Sequence, residues 1–382
     1  MKKFSITSSS QIPKNQKFDL KNFKVPFCNN EKKKKFKRFE TFIPKNKGFW
    51  KPGSNFKNIG KFLIISGPAR NGNHLLSSLL DGHSQISIMP GEDFLLREFF
   101  SRAKENEAQA IKNLKNSKNI EYILNMSGGK FNKWKKLFDL YMSNKSSKIW
   151  SGQQPENSGH VTDYQDLVPQ INYPKFEKYL YSQKKKLQNV KNFYEFLLIY
   201  LRATKYLSNS TKKKINFSWT YSGMRRELFS LLEHTKNIVS FVPIRRFESF
   251  YFSYAKPRFN TNQIEQRALN ELWEHWRHKT IDYLILKKKF PKKVTLIKYE
   301  DLVNNTEQTI KKLNKKLKIN FEKIQLTPTT LKKPNKGNSS FPKEDKYFGK
   351  IYKNSMEEKF KNQVNLPKEY FEIYDNLQEN LY

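Results

Sequence analysis

The sequence predicts an α/β fold in which helices flank a mostly parallel central sheet. Three short apolar runs, rich in β-branched residues, have the character of buried strands: 61–66, 238–243 and 294–298. A polar loop and then a helical pattern of apolar residues follow each run. This repeated order is typical of a parallel sheet, because neighbouring parallel strands are joined by crossover helices.

The first run leads directly into a glycine-containing loop and a helix. Gly67 and the following proline end the strand, and four leucines at helical spacing run from Leu75 until Gly82. Gly72 permits a tight turn, and the start of the helix directs unpaired N–H groups into the loop. Arg70 adds a planar, permanently charged group. The segment therefore predicts a site for phosphate or sulfate, and the alternative is an ordinary turn with a surface arginine.

The second run precedes another arginine-containing segment, IRRFESFYFSYAKPR. Within it Arg245 and Ser253 are eight positions apart. Ligands of α/β sheets bind beyond the carboxyl ends of the strands, so this segment and the Arg70 loop are expected to converge on one ligand. The sequence thus predicts one crevice that holds two separated phosphates.

The remaining chain divides into regions of different composition. Residues 1–60 carry 16 basic and 3 acidic side chains and are predicted to form a basic, partly disordered arm. Residues 61–330 are expected to form the α/β domain, with a helical insertion at about 94–230 that shapes a cleft. Residues 331–382 are expected to complete the domain with a loop and a helix.

The net charge of +38 would ordinarily suggest a nucleic acid or an acidic membrane as the partner. However, the charge is spread along the whole chain and comes mostly from lysine, with 61 Lys against 12 Arg. A basic nucleic-acid-binding protein is therefore a remote alternative, and no specific nucleic acid is expected. Cys28 is the only cysteine, which excludes an intramolecular disulfide and a cysteine-based zinc site. No apolar run has the length of a signal peptide or a transmembrane helix, so a cytoplasmic protein is expected.

The stretch PARNGNHLLSSLLDGHS resembles the sulfotransferases that use 3′-phosphoadenosine 5′-phosphosulfate (PAPS). Their 5′-phosphosulfate loop has the form PRSGTTLL and is followed by LLDxHP. Arg70 and Gly72 fall on the basic residue and the glycine of that loop. Asn71 replaces its usual serine, and Asn73 and His74 replace its two hydroxyl residues. The amide and the imidazole are also hydrogen-bond donors, so the resemblance implies that binding is retained.

Two later segments match the same family in order and spacing. Arg245 and Ser253, with the following tyrosine, match its 3′-phosphate signature, and YEDL at 299–302 matches a strand end that a helix near Thr306 follows. The resemblance covers residues 61 to about 320. It implies the P-loop-like sulfotransferase fold and the transfer of the sulfuryl group from PAPS to a hydroxyl without a metal. The acceptor is expected to be a glycan or glycolipid, because the motifs resemble those of the glycan and protein branches.

The resemblance also implies the roles of individual residues. Glu92 is expected to be the catalytic base, with Asp93 as its close competitor and His74 as a further alternative. Arg70 is expected to stabilise charge on the leaving phosphate. Glu92 and Asp93 have an alternative role as caps of the helix predicted to start at Phe94. The expected PAPS-binding residues are Arg70, Asn71, Gly72, Asn73, His74, Arg245, Ser253, Lys336 and Gly337, the last two from a loop that closes over the 3′-phosphate.

A P-loop phosphotransferase, similar to a kinase, is the main alternative. Gly67 and Gly72 have the spacing of the G-x-x-x-x-G-K-[ST] motif. Asn73 and His74 stand where that motif needs a lysine for the phosphates and a hydroxyl for magnesium. The sequence therefore favours the sulfotransferase.

Overall fold

The computed structural model describes five longer stretches of the chain: 61–88, 173–190, 215–220, 237–259 and 264–330. Shorter described pieces are 18–19, 195, 199, 202–203, 206, 228, 232–233, 333–334, 349–351, 364–366 and 368–379. The predicted base candidates Glu92 and Asp93 lie outside these stretches. So do the loop residues Lys336 and Gly337, and all of the predicted arm except 18–19.

Five parallel strands within the described residues form the central sheet. The strands, with the small ones outside this sheet, are β1 (Phe18–Asp19), β2 (Lys61–Ile65), β3 (Ile86–Ile88), β4 (Ile215–Thr220), β5 (Ile238–Ile244), β6 (Val294–Lys298), β7 (Thr329–Thr330), β8 (Lys333–Pro334) and β9 (Val364–Asn365). The order in the sheet is β3-β4-β2-β5-β6. This confirms the predicted parallel sheet, and the three predicted strands β2, β5 and β6 agree with the sequence to within one residue.

The strand register brings the ends of the predicted strands to one edge of the sheet. Ile65 at the end of β2 lies opposite Phe241, and Ile244 at the end of β5 lies opposite Lys298 at the end of β6. Because these strands are parallel, the segments that follow them leave from the same edge. The loop after β2, the arginine segment after β5 and the YEDL tetrapeptide after β6 are therefore neighbours.

Strands β3 and β4 were not predicted from the sequence. β4 lies between β3 and β2, so residues 215–220 are a strand within the range that was predicted to be a helical insertion. The prediction of helix is wrong for these six residues. β3 has only three residues, and INFSWT in β4 mixes polar and apolar side chains. Neither forms the continuous apolar run by which a buried parallel strand is recognised.

The described helices are α1 (Asn73–Asp81), α2 (Tyr173–Ser182), α3 (Lys184–Gln188), α4 (Phe247–Phe259), α5 (Gln266–Lys289), α6 (Tyr299–Asn304), α7 (Thr306–Leu317) and α8 (Lys368–Glu379). A short 3₁₀ helix spans Lys323–Leu326. The predicted helices that end before Gly82 and begin near Thr306 correspond to α1 and α7. The YEDL tetrapeptide opens helix α6 and is not the end of a strand, because β6 ends one residue before it.

Helices α1 and α7 pack their apolar faces on the sheet. Leu76, Leu79 and Leu80 of α1 are fully buried against Leu63 and Ile65 of β2 and the apolar residues of α7, as one cluster. Burial of each such side chain stabilises the fold by about 1.5–3 kcal/mol. This packing fixes α1, and with it the position of the N–H groups at its first turn.

The C-terminal helix α8 packs on α5. The rings of Tyr370 and Trp276 lie 5.6 Å apart, and the Tyr370 hydroxyl donates a 2.8 Å hydrogen bond to Glu248 of α4. Strand β9, just before α8, pairs in parallel with β1. Within the described part of the chain, no helix is long and apolar enough to cross a membrane.

Candidate functional site

The backbone of the loop after β2 turns through two residues with positive φ. Arg70 has φ 64° and Gly72 has φ 99°, while Asn71 between them has a negative φ. The N–H of Asn71 donates to the carbonyl of Pro68 at 3.3 Å, so these residues form a tight turn directly before the helix. Helix α1 begins at Asn73, so its first N–H groups, which have no acceptor within the helix, lie at the same place. The loop thus has the backbone of a phosphate or sulfate site.

Two asparagine side chains brace this loop. The amide nitrogen of Asn71 donates to the carbonyl of Ala69 at 2.9 Å, and that of Asn73 donates to Gly67 and Pro68 at 3.2 Å each. Both asparagines are almost fully buried. The Asn73 amide therefore bonds to two carbonyls of its own loop, and the Asn71 amide bonds to one. This differs from the expectation that the Asn73 amide binds the ligand in place of a hydroxyl.

The two loop glycines are required by close contacts. A Cβ atom at Gly67 would lie 2.6 Å from the carbonyl oxygen of Pro243, and one at Gly72 would lie 2.5 Å from Cδ2 of Tyr299. Such distances are well inside van der Waals contact. Gly72 is thus needed for its left-handed backbone, as predicted, and also for the ring that packs against it.

Arg245 joins the second arginine segment to the loop. Its backbone N–H donates to Oδ1 of Asn71 at 2.6 Å, and its carbonyl accepts from Nε1 of Trp276 at 2.7 Å. These bonds lie in the interior and fix the backbone of Arg245 beside the loop. The predicted convergence of the two segments at one edge of the sheet is therefore present in the structure.

The guanidinium of Arg245 is held on two sides. Its Nε donates a hydrogen bond to Oγ of Ser249, and Cζ lies 4.2 Å from the centre of the Tyr299 ring. Arg245 is only 6% exposed, yet among the described residues no carboxylate pairs with it. A buried charge without a counter-ion is unfavourable. The site is therefore electrostatically prepared for an anion.

A second buried arginine, Arg277, can be compared with Arg245. Arg277 of α5 is 0% exposed, and its Nη2 lies 3.0 Å from a carboxylate oxygen of Glu274. Glu274 also contacts His278 at 3.0 Å. Although burial tends to raise the pKa of Glu274, its bonds to His278 and Arg277 outweigh burial and lower it. Arg277 thus has the internal partner expected of a buried charge, whereas no described carboxylate pairs with Arg245.

Ser253 lies on α4, one turn beyond Ser249. It is 7% exposed, and its hydroxyl makes no hydrogen bond to any described residue. The side-chain contact with Arg245 belongs to Ser249, which the sequence analysis did not select. The role of Ser253 in holding a 3′-phosphate stays a prediction.

The neighbouring Arg246 has a structural position. Its backbone N–H donates to Oε1 of Glu300 at 3.1 Å, and its Nε donates to the hydroxyl of Tyr374 at 3.0 Å. These bonds connect the end of β5 to α6 and to α8. Arg246 therefore fastens the C-terminal helix close to the candidate site.

His83, just after α1, is also structural. It is fully buried, its Nδ1 accepts from the backbone N–H of Gln85 at 2.9 Å, and its Nε2 lies 2.7 Å from the carbonyl oxygen of Asn320. Because Nδ1 accepts, Nε2 carries the proton and donates it to Asn320. The ring joins the end of α1 to the segment after α7.

Three contact residues of the site were missed by the sequence analysis: Ser249, Trp276 and Tyr299. Ser249 follows Arg245 by four positions, a spacing compatible with contact at a helix start. Tyr299 was part of the YEDL match, and an aromatic residue directly after a strand at the ligand-binding edge is a usable signal. Trp276 carries no such signal. No cluster of three metal-ligating side chains is found among the described residues.

Comparison with solved structures identifies the fold. The chain is similar to the sulfotransferase domain of the Synechococcus PCC 7002 olefin synthase, with TM-score 0.50, 14% identity, and coverage of 88% of this chain and 99% of that domain. It is also similar to a sulfotransferase domain of the curacin biosynthetic pathway, with TM-score 0.48, 16% identity, and coverage of 85% and 99%. No family model and no curated protein matches the sequence. The olefin synthase likeness shows that the chain has the sulfotransferase fold.

Proposed function

We propose that the protein is a PAPS-dependent sulfotransferase that moves the sulfuryl group to a hydroxyl of its acceptor. The observation that carries this proposal is the buried guanidinium of Arg245, which has no carboxylate partner among the described residues and lies beside a phosphate-type loop. A ligand with one phosphate beside Arg245 and another at the loop would neutralise Arg245 and accept hydrogen bonds from the N–H groups of the loop.

The two anion sites suit one nucleotide. PAPS carries a 5′-phosphosulfate and a 3′-phosphate on the same ribose, so its two charged groups have a fixed short separation. A 2.6 Å hydrogen bond from the backbone N–H of Arg245 to Oδ1 of Asn71 holds the two segments side by side, as a nucleotide with two nearby charged groups requires. In this arrangement the loop receives the 5′-phosphosulfate, and Arg245 with Ser253 receives the 3′-phosphate. Lys336 and Gly337 remain candidates to cover it.

The reaction needs an in-line acceptor, stabilisation of the leaving phosphate and a base. The acceptor oxygen forms a bond to sulfur while the bond from sulfur to the bridging oxygen breaks, which releases 3′-phosphoadenosine 5′-phosphate (PAP). Arg70 and the N–H groups at the start of α1 stabilise the charge that develops on the leaving group. Glu92 takes the proton from the acceptor hydroxyl, and Asp93 and His74 are the other candidates.

The acceptor is proposed to be a hydroxyl of a carbohydrate or a glycolipid. This choice is supported by the resemblance of the motifs to those of the glycan and protein branches of the family. The region expected to form the acceptor pocket, 94–230, lies mostly outside the described residues. Transfer of label from sulfur-labelled PAPS to fractions of a cell-envelope extract tests it. Label in the glycan or glycolipid fraction is expected, and label only in protein would contradict the proposed acceptor class.

The same assay tests the transfer activity with variants. Arg70→Ala and Arg245→Ala are each expected to lower transfer by roughly 100-fold, since each removes a charge-assisted contact worth about 1.5–3 kcal/mol or more in a buried site. Arg267→Ala, at an exposed arginine of α5, is the matched control and is expected to keep wild-type transfer. Equal transfer by all four proteins would contradict the proposal.

Two further measurements separate the alternatives. Glu92→Gln is expected to keep PAPS affinity while it abolishes transfer, and retained transfer would move the role of base to Asp93 or His74. Magnesium-dependent binding of ATP, with no binding of PAPS, would instead favour the P-loop phosphotransferase. The site offers no lysine after Gly72 for such an activity, since Asn73 occupies that position with its amide bonded to the loop.

A further inference from the structure

We infer that Tyr299 is a specificity-determining residue, which sets the preference for a 3′-phosphate by holding the guanidinium of Arg245 in its binding orientation. This inference rests on the proposed PAPS site. Tyr299 is here a positioning residue, because it acts on the ligand through Arg245.

The ring of Tyr299 lies between the two anion sites. One part of it packs against Gly72 of the loop, so closely that a Cβ at Gly72 would be 2.5 Å from Cδ2 of the ring. The ring centre lies 4.2 Å from Cζ of Arg245, a distance typical of a cation–π contact. One aromatic ring therefore contacts both the proposed 5′ site and the proposed 3′ site.

The position of the ring is fixed by the sheet. Tyr299 directly follows β6 and is the first residue of α6, and Lys298 before it is paired with Ile244 in the register of β5 and β6. Arg245 directly follows Ile244. The two side chains therefore leave neighbouring strands at the same level, which explains their contact across 54 positions of sequence.

The contacts of Arg245 leave one part of its guanidinium for a ligand. Ser249 accepts the hydrogen of Nε, and Cζ lies over the ring of Tyr299, 4.2 Å from its centre. Within the described residues, Nη1 and Nη2 make no hydrogen bond. A guanidinium whose plane is fixed presents these two nitrogens as a fork, which suits two oxygens of a terminal phosphate.

The hydroxyl of Tyr299 makes no hydrogen bond within the described part of the chain. The inferred role therefore belongs to the ring and not to the hydroxyl. Phenylalanine at position 299 should therefore keep this role, because it retains the aromatic ring. Leucine fills similar space but lacks the charge distribution by which an aromatic ring attracts a cation. This difference separates the inferred role from simple space filling.

The test compares two nucleotides by titration calorimetry: PAP, which has the 3′-phosphate, and 5′-AMP, which lacks it. Wild type is expected to bind PAP about 100-fold more tightly. Tyr299→Leu is expected to lower this preference about 10-fold while it changes 5′-AMP affinity by less than about 3-fold. Tyr299→Phe is expected to restore the wild-type preference. Arg245→Lys, which keeps the charge but not the planar fork, is expected to lower the preference in the same way.

The outcomes are distinguishable. An unchanged preference in Tyr299→Leu, or an equal loss for both nucleotides, would overturn the inferred role of Tyr299. A Tyr299→Phe variant that behaves like Tyr299→Leu would do the same. If Tyr299→Leu does not fold, as shown by its circular dichroism, an unchanged preference in Arg245→Lys overturns the inference. Wild type that binds both nucleotides equally, or neither, would instead contradict the proposed function itself.

Discussion

Replacing Gly72 by alanine should both destabilise the fold and weaken the candidate site. The backbone of Gly72 has φ 99°, a conformation that is less favourable for an L-residue by about 1–2 kcal/mol. The new Cβ would lie 2.5 Å from Cδ2 of Tyr299, and such overpacking in an interior costs about 1–3 kcal/mol. Together the two effects predict a loss of about 2–5 kcal/mol in the free energy of unfolding.

Gly349→Ala provides the matched control. Gly349 also has a left-handed backbone, with φ 64°, but the nearest atom to its added Cβ would be Cγ2 of Thr327 at 3.1 Å. This contact is milder than the one at Gly72, so the variant is expected to lose mainly the backbone part, about 1–2 kcal/mol. Urea unfolding followed by circular dichroism measures both values.

PAP binding separates the effect of backbone strain from the effect of moving the Tyr299 ring. Gly72→Ala moves the Tyr299 ring and is expected to weaken PAP binding, whereas Gly349→Ala is expected to leave it unchanged. If the two variants lose the same stability and Gly72→Ala keeps wild-type PAP affinity, the Tyr299 ring does not connect the two anion sites as described.

Three further changes test contacts around the site. Asn71→Ala removes the acceptor of the buried N–H of Arg245 and is expected to cost about 1–3 kcal/mol in urea unfolding, so a loss below about 0.5 kcal/mol would contradict the link between the two segments. Tyr370→Phe removes the donor to the buried carboxylate of Glu248 and is expected to cost about 1.5–3 kcal/mol, and an unchanged midpoint would show that α8 is not fastened there. Burial raises the pKa of Tyr251 from 10.0 to about 12, so its stabilising contribution is complete below pH 10 and is lost as the pH rises toward 12. Tyr251→Phe should therefore lose less stability than wild type between about pH 10 and pH 12, and equal losses would argue against burial of this hydroxyl.

The main strands and two helices could be predicted because each has a strong local signal. β2, β5 and β6 are apolar runs, α1 has leucines at helical spacing, and α7 begins at a threonine after an asparagine. β4 has no comparable signal, since its place between β2 and β3 depends on pairing with residues more than 120 positions away. Such pairing is a property of the tertiary structure and not of the local sequence.

The charged residue and the glycines of the site could be predicted from the sequence, but the hydrogen-bond partners of its side chains could not. Arg245 and the loop glycines could be chosen from residue type and position. The spacing of the motif selected Ser253, whereas the helical path of α4 brings Ser249 to Arg245. Asn73 was expected to donate hydrogen bonds from its amide to the ligand. In the structure this amide donates to the carbonyls of Gly67 and Pro68 in its own loop. Contacts of this kind depend on side-chain packing at distances of a few ångströms.

Titration calorimetry with PAP tests the central claim most directly, because the product nucleotide needs no acceptor. Wild type is expected to bind PAP, and Arg245→Ala is expected to bind it roughly 100-fold more weakly, which corresponds to about 3 kcal/mol for the lost charge-assisted bonds. Arg267→Ala, at an exposed arginine, is expected to bind like wild type. Failure of wild type to bind PAP, or equal binding by wild type and Arg245→Ala, would contradict the claim that the buried arginine and the loop form a PAPS site.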